Sequence, residues 1–566
     1  MKNSTDRKHL AKAVAKIIGN LNQGYSFDQT LAEEWIKYVH LLIDGYAENL
    51  SNPYTDIKNY HVESLTAESA RKATSVRMLT TLPSRVLEKS NPHDALVCKK
   101  TIFITALGGI DTTFYRGFKT RDLEFAEKFY APRLCQVFSE SSAVRIIPRG
   151  FAAKEYSPGR YVTNAESVIL HAYHAGIRNV AVIANAKTFQ AIKRYLHEKF
   201  NPLKDLNIVV VPQPMLPAVS YNHKTGELLL SAAQGGYPGG HGHGFKYCFK
   251  NDQIQELVRD NDLKYFIFSN GDNSVIFNWG AAHFVRALEE METLKHHPDF
   301  ENLRIAFFLV WEHLRKGGFG FLLKHKQNGK QFSQIFEAEL AGKSGADIER
   351  LKTVKGGYNT NVAVGIIQDV QDHLDHLPLV LKKKNQADIT DYIFEASLAT
   401  AMTTHQQEDG SSLFDENASI NILGPEEAKY QHWIHIAIRK RDDLFAFHSS
   451  LFKCKLMPTQ YGEFPVIITE RDARQKYPTL AGNFIDADLL NTKEFFDIFA
   501  DAFMDVDDFS GTIRIDFLEK DKMPRGTLKF SGHVKWVGDG DISIIVPAGK
   551  VLVIGDKTYR SKKARE

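Results

Sequence analysis

The stretch KKTIFITALGG, residues 99–109, is a run of β-branched and aromatic residues that ends in two glycines. A short apolar run with glycine at its end is typical of a buried strand that leads into a turn. Four later runs have the same character: NVAVIA (179–184), LNIVVVP (206–212), YFIFSN (265–270) and RIAFFLV (304–310). Helical patterns lie between them, and this alternation predicts an α/β domain with a mixed, mainly parallel sheet covered on both faces.

The regions on either side of this pattern differ from it. Near the N-terminus, apolar residues at spacings of three and four predict one amphipathic helix, and Ser64 to Val86 predicts a second. From about Phe509 the segments are short, alternating and rich in turns, which favours an all-β cap or a few coils of a β-helix. We therefore predict a helical N-terminal region (1–95), an α/β domain (96–445) and a C-terminal domain (446–566).

The composition of the chain excludes several classes of protein. The 71 basic and 68 acidic residues leave a net charge of +3, which gives no electrostatic case for a nucleic-acid partner. No window holds the roughly 18 apolar residues of a membrane span, and the N-terminus lacks the apolar core of a signal peptide. Four scattered cysteines without a C-x-x-C pair argue against a zinc site and favour a reducing compartment. We expect a cytoplasmic location.

Ligands of parallel sheets bind at the carboxyl ends of the strands, so the segments after the runs are the candidate sites. The first is TALGGID (105–111), whose two glycines allow backbone N–H groups to approach a phosphate. A Gly-Gly turn without function is the alternative. The second is QGGYPGGHGHG (234–244), which suits a backbone passing close to a flat ligand or, alternatively, a flexible surface loop. His241 and His243 alone fall short of a zinc site.

Two further segments offer charged groups. In YFIFSNGDN (265–273) a strand ends in polar residues, and Asp272 is suited to hold Mg²⁺, which prefers oxygen ligands and substrate phosphates. A turn rich in Asn and Asp is the alternative. In YQHWIHIAIRKRDD (430–443), Arg439 and its basic neighbours follow a strand-like alternation and are suited to neutralise a transferring phosphate. A solvated basic turn explains the same cluster.

Taken in order, these segments resemble the eukaryotic-type UDP-glucose pyrophosphorylase family over residues 100 to 555. YPGGHGH (237–243) is similar to the family's Tyr-Pro-Pro-Gly-His-Gly-Asp, and SNGDN (269–273) to Ser-Asn-x-Asp-Asn. VPQPMLP (211–217), KGG (316–318), IFEAEL (335–340) and YNTN (358–361) also match family segments in order. The resemblance implies a Rossmann-like core of the glycosyltransferase-A type and a C-terminal left-handed β-helix. It also implies an enzyme that joins UTP and a sugar 1-phosphate and releases pyrophosphate.

The resemblance also implies roles for individual residues. A nucleotide loop is implied for Ala106, Leu107, Gly108 and Gly109, and uracil contacts for Gln213 and Gly240. Sugar contacts are implied for His241, Asn270, Glu337 and Asn359. Asp272 is implied as the Mg²⁺ ligand, and Lys154 and Arg439 as the cations that hold phosphate.

Departures from the family pattern lie mostly in the nucleotide loop. Its third glycine is Asp111 here, which places a carboxyl group where the triphosphate lies, and no Gly-Pro-Lys follows. Lys119 is near the expected distance, but Lys154 has the better downstream context, so we prefer Lys154 and an insertion within 111–150. Arg439 replaces the family's later lysine and keeps its charge.

Three alternatives stay open at the level of the sequence. Glucose 1-phosphate is the substrate that family frequency favours, but the same scaffold serves other sugars. A scaffold that binds nucleotide sugars but has lost catalysis is the second, and Asp111 motivates it. The third concerns residues 1–95, which form either packing helices or a partner-binding module. The resemblance further allows self-association through the C-terminal β-helix.

Overall fold

The structure of the protein is a computed structural model. It describes residues 29–79, 92–107, 146–148, 161–185, 189–200, 203–230, 237–312, 318–337, 341–374, 377, 380–385, 389–425, 434–435, 452–459, 462–469, 485–486, 498, 501–518 and 523–561, except residues 45, 47, 48, 51, 53, 223, 226, 227, 272, 274, 278, 343 and 344.

The helices within these ranges are α1 (Gln29–Ile43), α2 (Ala67–Ala70), α3 (Pro92–Lys99), α4 (Asn164–His174), α5 (Phe189–Phe200), α6 (Gly240–Lys250), α7 (Asp252–Asp260), α8 (Ala282–Leu294), α9 (Ile348–Thr353), α10 (Ile367–Gln371) and α11 (Leu398–Thr403). The first strands are β1 (Tyr60–Ser64), β2 (Val76–Met78), β3 (Thr101–Ala106), β4 (Ile146–Pro148), β5 (Tyr161–Thr163), β6 (Asn179–Asn185), β7 (Asn207–Gln213), β8 (Met215–Leu216), β9 (Val219–Asn222), β10 (Leu228–Leu230), β11 (Tyr237–Pro238) and β12 (Tyr265–Asn270). They continue with β13 (Ile305–Glu312), β14 (Gly318–His325), β15 (Gln331–Glu337), β16 (Gly356–Ile366), β17 (Val380–Asn385), β18 (Ile389–Glu395), β19 (Thr404–Gln406), β20 (Ser412–Phe414) and β21 (Ser419–Leu423). The C-terminal strands are β22 (Phe452–Thr459), β23 (Gly462–Thr469), β24 (Ile485–Asp486), β25 (Asp501–Ser510), β26 (Ile513–Phe517), β27 (Thr527–Asp539), β28 (Ile542–Val546), β29 (Val551–Ile554) and β30 (Lys557–Arg560).

The five apolar runs of the sequence form β3, β6, β7, β12 and β13 of one 11-stranded sheet. Its main path runs β2-β21-β13-β16-β12-β3-β6-β7, and every neighbouring pair is parallel except the two pairs made by β16. Strands β14, β15 and β1 extend it with antiparallel pairs. The predicted mixed, mainly parallel α/β sheet is therefore confirmed.

Alternate residues of each central strand enter two different cores. Phe103 lies in the cluster that contains α4 and α8 residues, whereas Ile102 and Ile104 lie in the cluster that contains residues of α1, α6 and α11. Because successive strand side chains point to opposite faces, a sheet with helices on both faces needs apolar residues at every position. This is the physical reason why the central strands are continuous apolar runs.

The described residues of the N-terminal region form both helices and strands. Helix α1 forms as predicted and buries Trp35, Val39 and Leu42. Of the second predicted helix, Ser64 to Val86, the described residues form only the short α2 (Ala67–Ala70), and the prediction is wrong for β2, which is a parallel neighbour of β21. Pairing with the sheet edge outweighs a weak local helical pattern. Strands β1 and β2 thus tie residues 60–78 to the large sheet.

Strands β22 and β23 form an antiparallel pair, whereas the described strands from β24 onward pair in parallel. Ile513 of β26 pairs with Ile542 of β28, and Thr527 of β27 with Val551 of β29. Trp536 of β27 is fully buried and stacks its ring 4.6 Å from that of Tyr559 on β30, and the strands of this region match the turn-rich all-β prediction. The left-handed β-helix stays a prediction. No helix in the described part of the chain is both long and apolar enough to cross a bilayer.

Candidate functional site

The carboxyl ends of the parallel strands form one edge of the sheet, and most of the described candidate residues lie along it. Ala106 ends β3 and pairs with Asn270, the last residue of β12. Gln213 ends β7 and pairs with Asn185, the last residue of β6. Because β16 runs in the opposite direction, its early residue Asn359 also lies towards this edge. The chain thus gathers residues that are far apart in sequence, as the strand-end argument predicts.

The β3 and β12 ends are held together by a tight backbone contact. Gly271 N–H donates to Ala106 O at 2.9 Å, and a Cβ on Gly271 would lie 1.9 Å from Leu107 Cδ2. Leu107 is fully buried, and its N–H donates to Ile183 O at 2.8 Å. The Leu107 N–H is therefore used by the sheet, and the nucleotide-loop role of Ala106 and Leu107 stays a prediction. Gly108, Gly109 and the rest of the predicted loop lie outside the described residues.

Asn270 is a buried amide at the end of β12. It is 7 % exposed, and its Oδ1 has no hydrogen-bond partner among the described residues. A buried polar atom without a partner usually marks a position where a ligand, an ion or a water molecule binds. Asp272, two positions later, lies outside the described residues. Asn270 therefore supplies a buried acceptor at the end of β12.

Two residues of the segment 430–443, Ile434 and His435, lie near this same edge. Asn273 Nδ2 donates to Ile434 O at 2.9 Å, and the ring of His435 lies 6.2 Å from that of Tyr358 on β16. Ile434 and His435 are its two described residues, and neither is in a strand. Arg439 and Lys154 lie outside the described residues, so their roles stay predictions.

Gln213 and Gly240, the two residues implied in uracil recognition, are in direct contact. The Gln213 side chain is 6 % exposed, and its Nε2 donates to Gly240 O at 2.8 Å. A Cβ on Gly244 would lie 3.2 Å from the same Nε2. The first turn of α6 therefore fixes the plane of the Gln213 carboxamide.

The glycine-rich segment 234–244 is not a loop throughout, because α6 begins at Gly240. Gly240 has φ +79°, and a Cβ there would lie 2.4 Å from Ala396 O. A Cβ on Gly242 would lie 2.7 Å from Ala401 Cβ on α11. Ala396 N donates to Gly239 O at 2.8 Å and Ala396 O accepts from Gly242 N at 2.9 Å. Close packing against the segment 396–401 thus requires these glycines, and the alternative of a flexible surface loop is wrong for residues 239–244.

The two histidines of this segment have different surroundings. The His241 ring lies 6.4 Å from that of Phe268 on β12, which places it towards the β12 end. His243 is buried, packs its ring 4.7 Å from Tyr247, and has no hydrogen-bond partner among the described residues. Burial lowers the pKa of His243 to about 3, and the charge of Lys246 adds to this effect. Among the described residues there is no cluster of His, Cys, Asp or Glu that could hold a metal ion.

The depressed pKa of His243 predicts acid-dependent stability. Unfolded His243 gains a proton below its usual pKa of about 6.5, whereas the folded residue stays neutral down to about 3. Its contribution to stability is full above pH 6.5 and is lost as the pH falls towards 3. Between pH 7 and pH 5 this loss is about 2 kcal/mol in the free energy of unfolding. Urea titrations at pH 7 and pH 5 measure this change. In His243→Leu the free energy of unfolding should fall between the two pH values by about 2 kcal/mol less than in the unaltered protein. An equal pH dependence in the two proteins contradicts a neutral buried His243.

A bulge in β16 places Asn359. The pairing of β13 with β16 shifts between Phe308 and Leu309, so that Thr360 and Asn361 have no partner residue in the ladder. Asn361 adopts φ +55°, and its N–H donates to Asn359 Oδ1 at 3.0 Å. Bulges of this kind are common beside active sites because they redirect a side chain. The YNTN motif is therefore a bulge that holds the Asn359 amide.

Glu337 and Asn359 lie on either side of Gly318, the first residue of β14. Gly318 pairs with Glu337, and a Cβ on it would lie 3.6 Å from Asn359 Nδ2. Glu337 is exposed, whereas Asn359 is partly buried. Glycine at 318 leaves room between the two candidate sugar ligands.

Sequence reasoning missed Glu312. This residue ends β13, is 6 % exposed, and lies at the same carboxyl edge opposite Gly356. The signal was available, because the run RIAFFLV leads directly into Trp311-Glu312, a carboxylate at a strand end. Glu312 joins Asn270, Gln213, Gly240, His241, Asn359 and Glu337 as a described polar group of this edge.

Comparison with known proteins gives a match at the level of the fold. No family model matches the chain, and no curated protein matches its sequence. A UDP-glucose pyrophosphorylase variant from Leishmania major, solved in complex with UDP-glucose, is 14 % identical with a TM-score of 0.56, over 97 % of this chain and 99 % of the other. A UDP-glucose phosphorylase from Trypanosoma brucei is 13 % identical with a TM-score of 0.55, over 96 % and 99 %. The predicted resemblance to UDP-glucose pyrophosphorylases is confirmed in the fold.

Proposed function

We propose that the protein is a uridylyltransferase that joins UTP and a sugar 1-phosphate to give a UDP-sugar and pyrophosphate. The observation that carries this proposal is the Gln213–Gly240 hydrogen bond of 2.8 Å at the carboxyl edge of the sheet. It orients a buried carboxamide, a group that can donate to and accept from the edge of a pyrimidine. The fold of the solved UDP-glucose pyrophosphorylases supports the same reaction class.

The reaction would be an in-line displacement at the α-phosphorus of UTP. An oxygen of the sugar phosphate forms the new P–O bond, and the bond to the pyrophosphate leaving group breaks. No general base is required, because the attacking phosphate is already ionised at neutral pH. Both reactants are anions, so positioning and charge neutralisation dominate the catalysis. We assign the triphosphate to the N–H groups of Gly108 and Gly109 and to Lys154, and the attacking phosphate to Arg439.

The chemistry of the β12 end fits a magnesium ion. Mg²⁺ is bound through oxygen atoms, commonly by one or two carboxylates together with substrate phosphates. Asn270 presents a buried Oδ1 without a partner among the described residues, two positions before the Asp272 carboxyl. Bound at Asp272, the ion would supply positive charge to the phosphates. The Asn270 amide would orient the sugar phosphate beside it.

The sugar would lie between α6 and the bulge of β16. His241, Asn270, Glu337 and Asn359 are the groups that we assign to its hydroxyls, and the resemblance favours glucose 1-phosphate. The test is pyrophosphate release from UTP, Mg²⁺ and a panel of sugar 1-phosphates, with binding of UTP measured in parallel. Release with one sugar identifies the substrate. If the protein binds UTP but releases pyrophosphate with none of the sugar 1-phosphates, the proposal is wrong. The protein is then a nucleotide-binding scaffold that has lost catalysis.

The base-reading role of Gln213 gives a direct prediction. In Gln213→Leu we expect KM for UTP to rise by about 10-fold to 100-fold, because a site built to hydrogen-bond its ligand loses that bond and gains none. Discrimination between UTP and CTP should fall by a similar factor, which steady-state rates with both nucleotides measure.

Gln334→Leu is the matched control for this substitution. Gln334 is a glutamine of β15 that is 1 % exposed and donates to Thr403 Oγ1 inside the core. Its loss should lower thermal stability and leave the UTP-to-CTP ratio unchanged. Equal effects of the two substitutions on that ratio argue against base recognition by Gln213.

A further inference from the structure

We propose that α1 is a positioning element of the nucleotide site, because it holds both segments that carry the proposed uracil-binding residues. This inference rests on the proposed function for its substrate. Nothing in the sequence pattern of α1 distinguishes it from an ordinary amphipathic helix. The contacts of α1 distinguish it, because its side chains bind the segment just after Gln213 and the helix that begins at Gly240.

The first contact is a buried ion pair with α6. Lys246 Nζ donates to both carboxylate oxygens of Glu34 at 3.0 Å, and the two side chains are only 6 % and 16 % exposed. Lys246 lies two turns along the helix that starts at Gly240. A buried pair of this kind fixes a geometry, because breaking it leaves an uncompensated charge that costs several kcal/mol. Glu34 therefore restrains the rotation and depth of α6.

The second contact reaches the segment of Gln213. Trp35 is 1 % exposed, and its Nε1 donates to Pro217 O at 3.1 Å. Pro217 lies four residues after Gln213 and directly after β8, which pairs with β11 immediately ahead of α6. Consecutive residues of α1 thus hold the two segments whose relative position sets the Gln213–Gly240 hydrogen bond.

The third contact of α1 is with the segment 394–401, which packs on the glycines at the start of α6. The Tyr38 ring lies 5.6 Å from that of Phe394, two residues before Ala396. Ala396 in turn exchanges backbone hydrogen bonds with Gly239 and Gly242. Tyr38 lies about one turn after both Glu34 and Trp35 on α1, so neighbouring residues of this one helix restrain all three segments around the start of α6.

The test is Glu34→Gln, which keeps the shape of the side chain and removes its charge. We expect KM for UTP to rise about 10-fold, with a smaller change in kcat, and discrimination between UTP and CTP to fall. Amide hydrogen exchange should accelerate in residues 213–217 and 239–246 of the protein without nucleotide. Trp35→Phe, which removes the indole N–H, should give a smaller effect of the same kind, about 3-fold in KM.

Asp415→Asn is the matched control. Arg304 and Asp415 form an ion pair of 2.6 Å with side chains 14 % and 20 % exposed, at the amino end of β13 away from the site. Asp415→Asn should lower stability without changing KM for UTP, discrimination between UTP and CTP, or hydrogen exchange in residues 213–217 and 239–246. The proposal is overturned if Asp415→Asn reproduces the Glu34→Gln pattern, or if Glu34→Gln leaves either the exchange or KM unchanged. If the unaltered protein binds no uridine nucleotide, the proposed function fails instead, and hydrogen exchange alone decides the role of α1.

Discussion

Replacing Asp272 by asparagine should lower turnover by about 10³-fold while leaving the fold intact. A metal-binding carboxylate contributes several kcal/mol of charge stabilisation at a transferring phosphate, and about 4 kcal/mol corresponds to this factor. The backbone around it is fixed by other groups, since Gly271 N–H donates to Ala106 O and Asn273 Nδ2 to Ile434 O. The melting temperature should therefore change little. Pyrophosphate release at saturating UTP and Mg²⁺ is the measurement.

Asp262→Asn is the control for this substitution. Asp262 lies three residues before β12, and its exposed carboxylate pairs with Lys100 at 2.6 Å. It has φ +48°, a conformation that asparagine tolerates well. Turnover of Asp262→Asn should match that of the unaltered protein. Normal turnover in Asp272→Asn removes Asp272 from the proposed metal site.

Replacing Gly240 by alanine should impair both stability and nucleotide binding. The left-handed backbone at φ +79° costs an alanine about 1 to 2 kcal/mol. Its Cβ would also lie 2.4 Å from Ala396 O, a backbone atom that accepts a hydrogen bond from Gly242 N of α6. We expect a loss of about 3 kcal/mol or more in the free energy of unfolding, measured by urea titration. To relieve this clash the backbone at residue 240 must move, which takes Gly240 O away from Gln213 Nε2. UTP affinity should therefore also fall, by about 10-fold or more.

Gly345→Ala separates the two causes. Gly345 has φ +90°, and no atom lies within 4 Å of a Cβ built on it. This variant carries the backbone strain without the clash, so it should lose about 1 to 2 kcal/mol and keep its UTP affinity. If Gly240→Ala loses no more stability than Gly345→Ala, the close approach of Ala396 to α6 does not govern this turn.

The sheet could be predicted from the sequence because its strands are buried on both faces. Such strands must be apolar at every position, and this leaves continuous runs that are visible without any partner. The candidate residues at strand ends could be predicted for the same reason, since the end of a run marks the edge of the sheet. Glu312 carries the same signal at the end of β13.

The edge strand β2 could not be predicted in this way. It is three residues long, and Val76 is its one buried side chain. A strand this short exists because β21 offers it a ladder of hydrogen bonds, and that ladder is a property of the assembled sheet. Local pattern alone favours a helix there, so tertiary pairing decided the outcome.

The glycines of 239–244 show the same division. The sequence by itself identified the segment as unusual and left open whether its backbone approaches a ligand or forms a flexible loop. Only the tertiary structure supplies the immediate cause, since Ala396 and Ala401 approach α6 too closely for any side chain at Gly240 or Gly242.

The sequence by itself determined the fold class, the mainly parallel arrangement of the five apolar runs and most of the polar residues at strand ends, though not Glu312. These depend on periodicity and composition, which are local. The tertiary structure decided the Gln213–Gly240 contact, the bulge that holds Asn359 and the attachment of α1 through Glu34 and Trp35. These depend on which segments, hundreds of residues apart, pack against one another, and a hydrogen bond between distant groups leaves no periodic trace in the chain.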